Sequence, residues 1–184
     1  MLDKTTQLMN KTFQKSSDNN LGGWMRDWEL RQFGINYRGS SILIDERYTD
    51  PNEPVDPYRS GHDGSAHAGD RTPSAPGLIL FEDGKTCCLY DLLDVKSHTV
   101  LVFARPGSSL VEEVQGVLSG YTQEVVKGVV IIPQGTSSQE RCSLRSVTDS
   151  EGYAYKHYKV SQDEELVVVV RPDAVSQLCH VLSR

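Results

Sequence analysis

Three runs of mainly apolar residues constrain the fold of this 184-residue chain more than any other feature. They are residues 99–103, 125–132 and 165–170, and the last of them ends in four consecutive valines. Such runs, without a polar residue at every second position, are typical of strands that are buried on both faces. They therefore predict the central strands of a sheet that has helices packed on it.

Shorter elements are predicted around these strands. Asp83 and Gly84 are typical of a hairpin turn. Ser109 and Glu112 have the spacing of a capping box, which predicts a helix that ends at Leu118. The remaining predicted elements are strands over 78–81 and 86–89, a helical turn over 90–93, a strand over 144–148, a helix over 152–158 and a final strand or helix that reaches Leu182. This mixture predicts an α/β domain.

The N-terminal part of the chain contains a helical pattern. Leu21, Trp24, Met25 and Trp28 follow the i, i+3, i+4, i+7 spacing of an apolar stripe. That spacing is typical of an amphipathic helix, because residues three and four apart share one helix face. Further along, residues 40–44 end in three apolar positions and predict a short strand.

A proline-rich segment lies between these two parts of the chain. Five prolines fall between residues 51 and 76, among Gly, Ser, His and Asp. Proline fixes φ and donates no backbone hydrogen bond, so neither a helix nor a central strand is expected there. We therefore divide the chain into an N-terminal helical and strand extension (1–44), a proline-rich linker or arm (45–76) and an α/β domain (77–184).

Charge and composition exclude several classes of partner. The net charge is -6 and the chain has no basic run, so we expect no nucleic acid and no anionic membrane as a partner. No stretch approaches about eighteen apolar residues, and the N-terminus lacks a signal-peptide pattern, so we expect a cytoplasmic protein. The cysteines have no C-x-x-C spacing and are expected to be reduced; they are Cys87, Cys88, Cys142 and Cys179. Cys87 and Cys88 fall in a predicted strand, so their side chains should face opposite sides of the sheet.

Several strings occur in an order that resembles one known domain. Residues 69–73 precede the Asp83–Gly84 turn, residues 89–93 precede the run over 99–103, and residues 149–152 and Tyr158 precede residues 166–173. Together they resemble the C-terminal domain of phenol-hydroxylase-type FAD-dependent monooxygenases. Residues 34–40 resemble a segment late in the main domain of those enzymes. The resemblance implies a thioredoxin-like central mixed sheet with flanking helices, here as a stand-alone chain.

The sequence departs from that family at the sites that carry chemistry. It has no G-x-G-x-x-G loop, which those enzymes use to approach the FAD pyrophosphate, so we expect no cofactor and no hydroxylation. Residues 103–109, where thioredoxins place the reactive cysteine at a helix start, contain no cysteine, and no proline directly precedes the run over 165–170. Disulfide exchange is therefore not expected. His62, Asp63 and His67 lack a third ligand at a usual spacing, so no metal site is expected.

Two groups of residues are candidate binding sites. Trp24, Trp28, Tyr37 and Arg38 could wall an apolar pocket for a substrate, or the two tryptophans could anchor the N-terminal segment by packing. Arg105 lies beside Ser108 and Ser109 at a predicted helix start. Backbone N–H groups there, with Arg105, could hold a substrate carboxylate or phosphate, or Ser109 could simply cap the helix.

Two hypotheses about function follow from these observations. The first is a cofactor-independent enzyme of a secondary-metabolite biosynthetic pathway, which shapes an apolar substrate for cyclisation, cycloaddition or isomerisation by proximity and a few hydrogen bonds. The second is a non-catalytic module that forms a homodimer or docks on a partner, since the resemblance implies a domain with subunit contacts. A closed cavity favours the enzyme, and an exposed apolar surface favours the module.

Overall fold

The computed structural model describes residues 35–47, 66–105, 107–135, 143–161 and 164–182. All of them belong to one compact unit, Ile35–Arg184. The strands within these residues are β1 Ile44–Asp45, β2 Leu78–Leu80, β3 Thr86–Cys87, β4 His98–Phe103, β5 Val126–Pro133, β6 Arg145–Asp149, β7 Glu165–Val170 and β8 Ser176–Leu182. The helices are α1 Leu89–Leu92, α2 Leu110–Leu118 and α3 Tyr153–Tyr158.

The strands form one mixed sheet in the order β1-β8-β7-β4-β5-β6-β2-β3. Strands β4, β5 and β6 run parallel, while β7 is antiparallel to β4, β8 to β7 and β2 to β6. The apolar runs predicted as central strands are adjacent, with register from Thr99↔Val170 to Phe103↔Leu166. The prediction of an α/β domain with a mixed sheet is confirmed.

The central strand β4 is buried on both faces of the sheet. Leu101 and Phe103 belong to one hydrophobic core, whereas Val100 and Val102 belong to a second core on the opposite face. This follows from the alternation of side chains along a strand. In the first core, the Phe103 ring lies 5.3 Å from the Tyr155 ring of α3 between centroids. Helix α2 supplies the second core with Leu110 and Val111.

The strand predicted over residues 40–44 is wrong in its placement. Only Ile44 of that segment is in a strand, and β1 is the two-residue pair that runs parallel to β8. The preceding residues form two turns, in which the Ser40 N–H donates to the Tyr37 carbonyl and the Leu43 N–H donates to the Ser40 carbonyl. These turns satisfy locally the backbone groups that a strand ladder would use.

The predicted capping box at Ser109 is also wrong. The Leu110 N–H, at the start of α2, donates to Oγ of Ser108 over 3.1 Å, whereas the Ser109 hydroxyl donates to Oε1 of Glu113 over 2.7 Å. Ser109 has a helical backbone, with φ of -73° and ψ of -10°. A capping side chain requires an extended backbone at its own residue, so the neighbouring serine accepts the hydrogen bond instead.

The predicted strand over 86–89 ends early, at Cys87. The Cys88 N–H donates to Oδ2 of Asp91 over 2.8 Å, which begins α1. The two cysteines therefore do not alternate within one strand. The last element, which was predicted as either a strand or a helix, is the strand Ser176–Leu182.

Residues at the end of the proline-rich segment pack into the domain. Ala66, Ala68 and Ala75 are buried in the first core. The Thr72 N–H donates to the Ala174 carbonyl over 2.8 Å, and Arg71 forms an isolated bridge with Val175. None of the helices in the described part of the chain is long and apolar enough to cross a membrane.

Candidate functional site

The first predicted group is only partly described. Trp24 and Trp28 lie outside the described residues, so their role in substrate binding stays a prediction. Tyr37 is 55% exposed, and its backbone N–H donates to the Gly69 carbonyl over 2.8 Å. Its position is therefore fixed by the main chain, and its side chain is available to solvent or to a partner.

Arg38 is held by Asp70 in a two-point ion pair. Its Nε lies 2.7 Å from Oδ1 and its Nη2 lies 2.5 Å from Oδ2. The two side chains are only 10% and 13% exposed. This planar, bidentate geometry is among the stronger charge-assisted contacts in proteins. Arg38 therefore ties the segment 35–47 to the loop before β2.

A second polar contact joins the same two segments. Oδ2 of Asp45 lies 2.9 Å from Nδ1 of His67 and accepts the Ala68 N–H over 2.8 Å. Burial by itself raises the pKa of the Asp45 carboxyl, but hydrogen bonds from His67 and from the backbone of Arg47 and Ala68 outweigh it and lower the pKa. The ionised carboxylate therefore stabilises this junction.

The lowered pKa of Asp45 predicts acid sensitivity of the fold. Because the pKa is lower in the folded chain than in the unfolded chain, the contribution to stability is present above about pH 4 and is lost as the pH falls further. We expect Asp45→Asn to lower the free energy of unfolding by about 1–2 kcal/mol at pH 7. Denaturant unfolding at pH 7 and pH 3 measures this, and the deficit should narrow at pH 3. A deficit that is equal at both pH values would contradict the assignment.

Arg105 lies at the carboxyl end of β4 and is bound by Glu165, the first residue of β7. Its backbone N–H donates to Oε1 over 3.1 Å, and its Nη2 lies 3.4 Å from Oε2. The Glu165 carboxyl is raised in pKa by burial, but hydrogen bonds from Ser108 and Arg105 lower it overall. An internal carboxylate therefore uses the donors at the start of α2, so Arg105 is engaged by the protein itself.

A cleft lies at the opposite end of the parallel strands. It has a volume of about 560 Å³ and opens beside the amino-terminal half of β5. Its described lining residues are Glu82, Leu92, Gln115, Leu118, Ser119, Tyr121, Gln123, Val126, Lys127, Gly128, Val129, Ser143, Leu144 and Arg145. We call this space the β5–β6 cleft.

The register of the sheet creates the β5–β6 cleft. Strand β5 pairs with β4 from Val126 onward, but it pairs with β6 only from Val129↔Arg145 onward. Among the described residues, positions 126–128 thus have a strand partner on one side only. Three strand residues span about 10 Å, so the gap is long enough to admit an organic molecule. The C-terminal end of α2 closes one wall of the gap.

Gly128 shapes the apolar wall of the β5–β6 cleft. A Cβ atom at this position would lie 2.8 Å from Cδ1 of Leu118 and 2.9 Å from Cδ2 of Leu144. The absent side chain lets these two leucines, one from α2 and one from the residue before β6, meet over the strand. The sequence holds a signal for this feature, since Lys127 and Gly128 interrupt the apolar run over 125–132.

Two cations border the β5–β6 cleft and differ in their partners. Nζ of Lys127 forms an ion pair with Oδ2 of Asp94, which lies outside the lining. Nε of Arg145 lies 4.0 Å from Oε1 of Glu82, and the Arg145 side chain is 46% exposed. The arginine thus keeps donor capacity toward the cleft. None of the described residues predicted as a site (Tyr37, Arg38 and Arg105) lines this space.

Of the described cysteines, Cys87 and Cys88 are partly exposed, whereas Cys179 is buried. Cys179 is fully buried, and burial raises the pKa of its thiol to about 12, so the thiolate is not formed near neutral pH. Within the described ranges, no group of three or more His, Cys, Asp or Glu side chains is arranged to hold a metal ion. Among the described residues, the β5–β6 cleft is a candidate site for a ligand.

Comparison with known proteins found similarity in fold alone. No family model and no curated protein matches the chain. Solved structures match across most of it: the flavin-dependent monooxygenase PieE, in complex with FAD and substrate, is 20% identical over 80% of this chain with a TM-score of 0.51. This chain spans only 22% of PieE.

Two smaller proteins match over nearly their whole length. The thioredoxin domain of a thiol-disulfide oxidoreductase from Bacteroides vulgatus is 13% identical, with a TM-score of 0.52, over 65% of this chain and 91% of its own. A thiol:disulfide interchange protein DsbE from Chlorobium tepidum is 16% identical, with a TM-score of 0.53, over 65% of this chain and 89% of its own. At these identities the likeness concerns the fold alone. The chain contains a thioredoxin-like domain, as the sequence predicts.

Proposed function

We propose that this chain is a cofactor-independent enzyme of a small-molecule biosynthetic pathway, which binds an apolar substrate in the β5–β6 cleft and shapes it for cyclisation, cycloaddition or isomerisation. The observation that carries the proposal is the cleft itself. Its volume of about 560 Å³ falls in the range of small-molecule pockets, roughly 300–1,000 Å³. Leucine and valine side chains share its lining with polar and charged side chains, so the cleft offers both an apolar surface and hydrogen-bond donors.

The lining offers the two things that such a reaction needs. Apolar walls from Leu118 and Leu144 would hold a flexible molecule in one folded conformation, which removes the entropic cost of bringing its ends together. Donors from Tyr121 and Arg145 would stabilise negative charge that develops on a carbonyl oxygen. A strong base is not required, because rearrangement within one bound molecule needs mainly orientation.

The origin of the chain is part of the same proposal. We infer descent from the C-terminal domain of phenol-hydroxylase-type monooxygenases, with action in the cytoplasm. The ordered strings between Gly69 and Asp173 support this origin, as does the likeness to 22% of PieE. In this proposal, the thioredoxin-like domain itself binds and shapes the small molecule.

A cleft-blocking variant tests the proposed activity. Ser143 is exposed and lines the cleft, so Ser143→Trp should fill its mouth without disturbing the core. Ser161 is equally exposed and does not line the cleft, so Ser161→Trp is the matched control. The assay is incubation with candidate pathway intermediates, followed by product analysis. We expect conversion by the wild type and Ser161→Trp, and at least tenfold slower conversion by Ser143→Trp. Equal rates for all three proteins would refute a reaction in this cleft.

One observation favours the alternative, a dimerisation module. Tyr37, Ile42 and Ile44 lie within eight residues at the β1 edge and are 55%, 62% and 57% exposed. An apolar edge strand is a surface on which a second copy can pair. The mass in solution from light scattering tests this alternative. A dimer that Ile42→Ser and Ile44→Ser convert to a monomer, without any turnover in the substrate assay, would favour the module.

A further inference from the structure

We propose that the ligand of the β5–β6 cleft is an amphipathic organic acid, whose carboxylate is bound by Arg145 and whose apolar body lies against Leu118 and Leu144. This inference rests on the proposed function and names the substrate class of the same cleft. It follows from the charge, the contacts and the shape of the lining residues.

The described lining of the cleft contains more cations than acids, whereas the chain as a whole is acidic. The whole chain carries a net charge of -6, but the described lining residues include two cations, Lys127 and Arg145, and one acid, Glu82. Lys127 is paired with Asp94, so of these two cations the Arg145 guanidinium is the one that remains for an anionic ligand.

Arg145 is the cation with capacity to bind such a ligand. Other arginines of the described residues are engaged at short range, since Arg38 reaches Asp70 at 2.5 Å and Arg171 reaches Asp173 at 2.9 Å. Among the described residues, Arg145 has one ion pair, which spans 4.0 Å to an exposed Glu82, and it also interacts electrostatically with Asp83. A guanidinium has five N–H donors in a planar fork that matches a carboxylate. Arg145 can therefore bind a carboxylate at two points while Glu82 moves aside.

The apolar part of the ligand is determined by the walls. Leu118 and Leu144 meet over Gly128, and Val126 packs against the same hydrophobic core, whereas Leu92 lies on the other face of the sheet. Residues 126–128, which pair with β4 but with no described residue of β6, give this surface a length of about 10 Å. A molecule with a medium-length hydrocarbon chain or a compact ring system fits this length, with its acid group at the Arg145 end.

Three matched probes of equal chain length test the acid preference. Decanoate, decan-1-ol and decylamine, each below its micelle concentration, are titrated into the full chain by calorimetry. We expect decanoate to bind most tightly and decylamine least tightly. Arg145→Gln should weaken decanoate about tenfold and leave decan-1-ol within about twofold, because only the carboxylate uses the guanidinium. Arg171→Gln, which neutralises an exposed arginine away from the cleft, should leave all three affinities unchanged.

The outcomes separate this inference from the proposed function. Equal affinity for decanoate and decan-1-ol, or tighter binding of decylamine, overturns the acid preference while binding in the cleft stands. Equal weakening of all three probes by Arg145→Gln also overturns it, because the arginine then supports the shape of the cleft. Binding of no probe, together with full conversion by Ser143→Trp, overturns the cleft as the site of the proposed function. Loss of decanoate affinity at high salt, without loss of decan-1-ol affinity, supports the ion pair.

Discussion

Replacing Gly69 with alanine should cost about 3 kcal/mol or more of the free energy of unfolding. Gly69 has φ of +93°, which L side chains rarely adopt. A Cβ atom there would also lie 2.5 Å from the backbone N of Arg38 and 2.8 Å from its Cα. Backbone atoms cannot rotate away as a side chain can, so the loop that carries Gly69 would have to separate from the segment 35–47.

Two other glycines separate the two causes of this cost, the strained backbone and the close approach to Arg38. Gly84 has φ of +69° with open space around the Cβ position, so Gly84→Ala should show the backbone strain alone, about 1 kcal/mol. Gly39 has neither feature, so Gly39→Ala should be nearly neutral. Denaturant unfolding measures the free energy of unfolding of all three variants. The comparison holds when the m-value, the dependence of that free energy on denaturant concentration, is the same in each. If Gly69→Ala is no less stable than Gly84→Ala, the close approach to Arg38 does not hold in solution.

The cost at Gly69 is large because three segments meet there. Its carbonyl accepts the Tyr37 N–H over 2.8 Å, and its own N–H donates to the Ser176 carbonyl over 2.7 Å. The neighbouring Asp70 holds Arg38. The glycine thus joins the segment 35–47, the end of the proline-rich segment and β8. A substitution that moves any one of these segments breaks its hydrogen bonds to the others.

The central strands could be predicted from the sequence because a strand that is buried on both faces is a run of mainly apolar residues. Strand β7 is Glu165–Val170, as predicted, and β4 begins one residue before the predicted 99–103. Each position along these strands faces one of the two cores, so almost every residue is apolar. The short strand β1 contains no such run, because Ile44 is exposed and Ile42 lies in a turn before the strand. Local propensity alone could not place it.

The β5–β6 cleft could not be predicted because its walls come from distant parts of the chain. Leu92 belongs to α1, Leu118 belongs to α2, and Leu144 is the residue before β6. Their convergence depends on β6 joining β5 three residues after β4 does, and a register of this kind is set by tertiary packing. The interruption of the apolar run at Gly128 is visible in the sequence. The sequence does not show that this glycine shapes a cleft.

The partner of Arg105 was equally hidden from the sequence. Glu165 lies sixty positions away in a run otherwise composed of leucine and valine, so it reads as the polar start of a strand. The antiparallel register of β4 and β7 places it beside the loop that follows β4, since Phe103 pairs with Leu166. A carboxylate of the protein thus contacts Arg105 in the structure, and the predicted role of Arg105 in substrate binding stays a prediction.

Replacing Glu165 with alanine should lower the free energy of unfolding by about 2–3 kcal/mol. The Glu165 side chain is only 8% exposed, and it accepts hydrogen bonds from the Arg105 backbone, the Arg105 guanidinium and the Ser108 hydroxyl. Its removal leaves these donors without an acceptor at the end of the buried strand β4, and an unsatisfied buried donor carries its full desolvation cost. The partial exposure of Arg105 to water limits the loss to this range.

The conservative variant shows which part of the Glu165 contact stabilises the fold. Glu165→Gln retains an acceptor for the Arg105 N–H and nearly the same volume, and it loses only the charge, so we expect a loss of about 1 kcal/mol. Denaturant unfolding at pH 7 compares both variants with wild type, and hydrogen exchange of residues 103–110 reports on the loop. Faster exchange there in Glu165→Ala than in Glu165→Gln is expected. Wild-type stability in Glu165→Ala would instead show that the loop after β4 is held by its own backbone, leaving Arg105 open to a ligand.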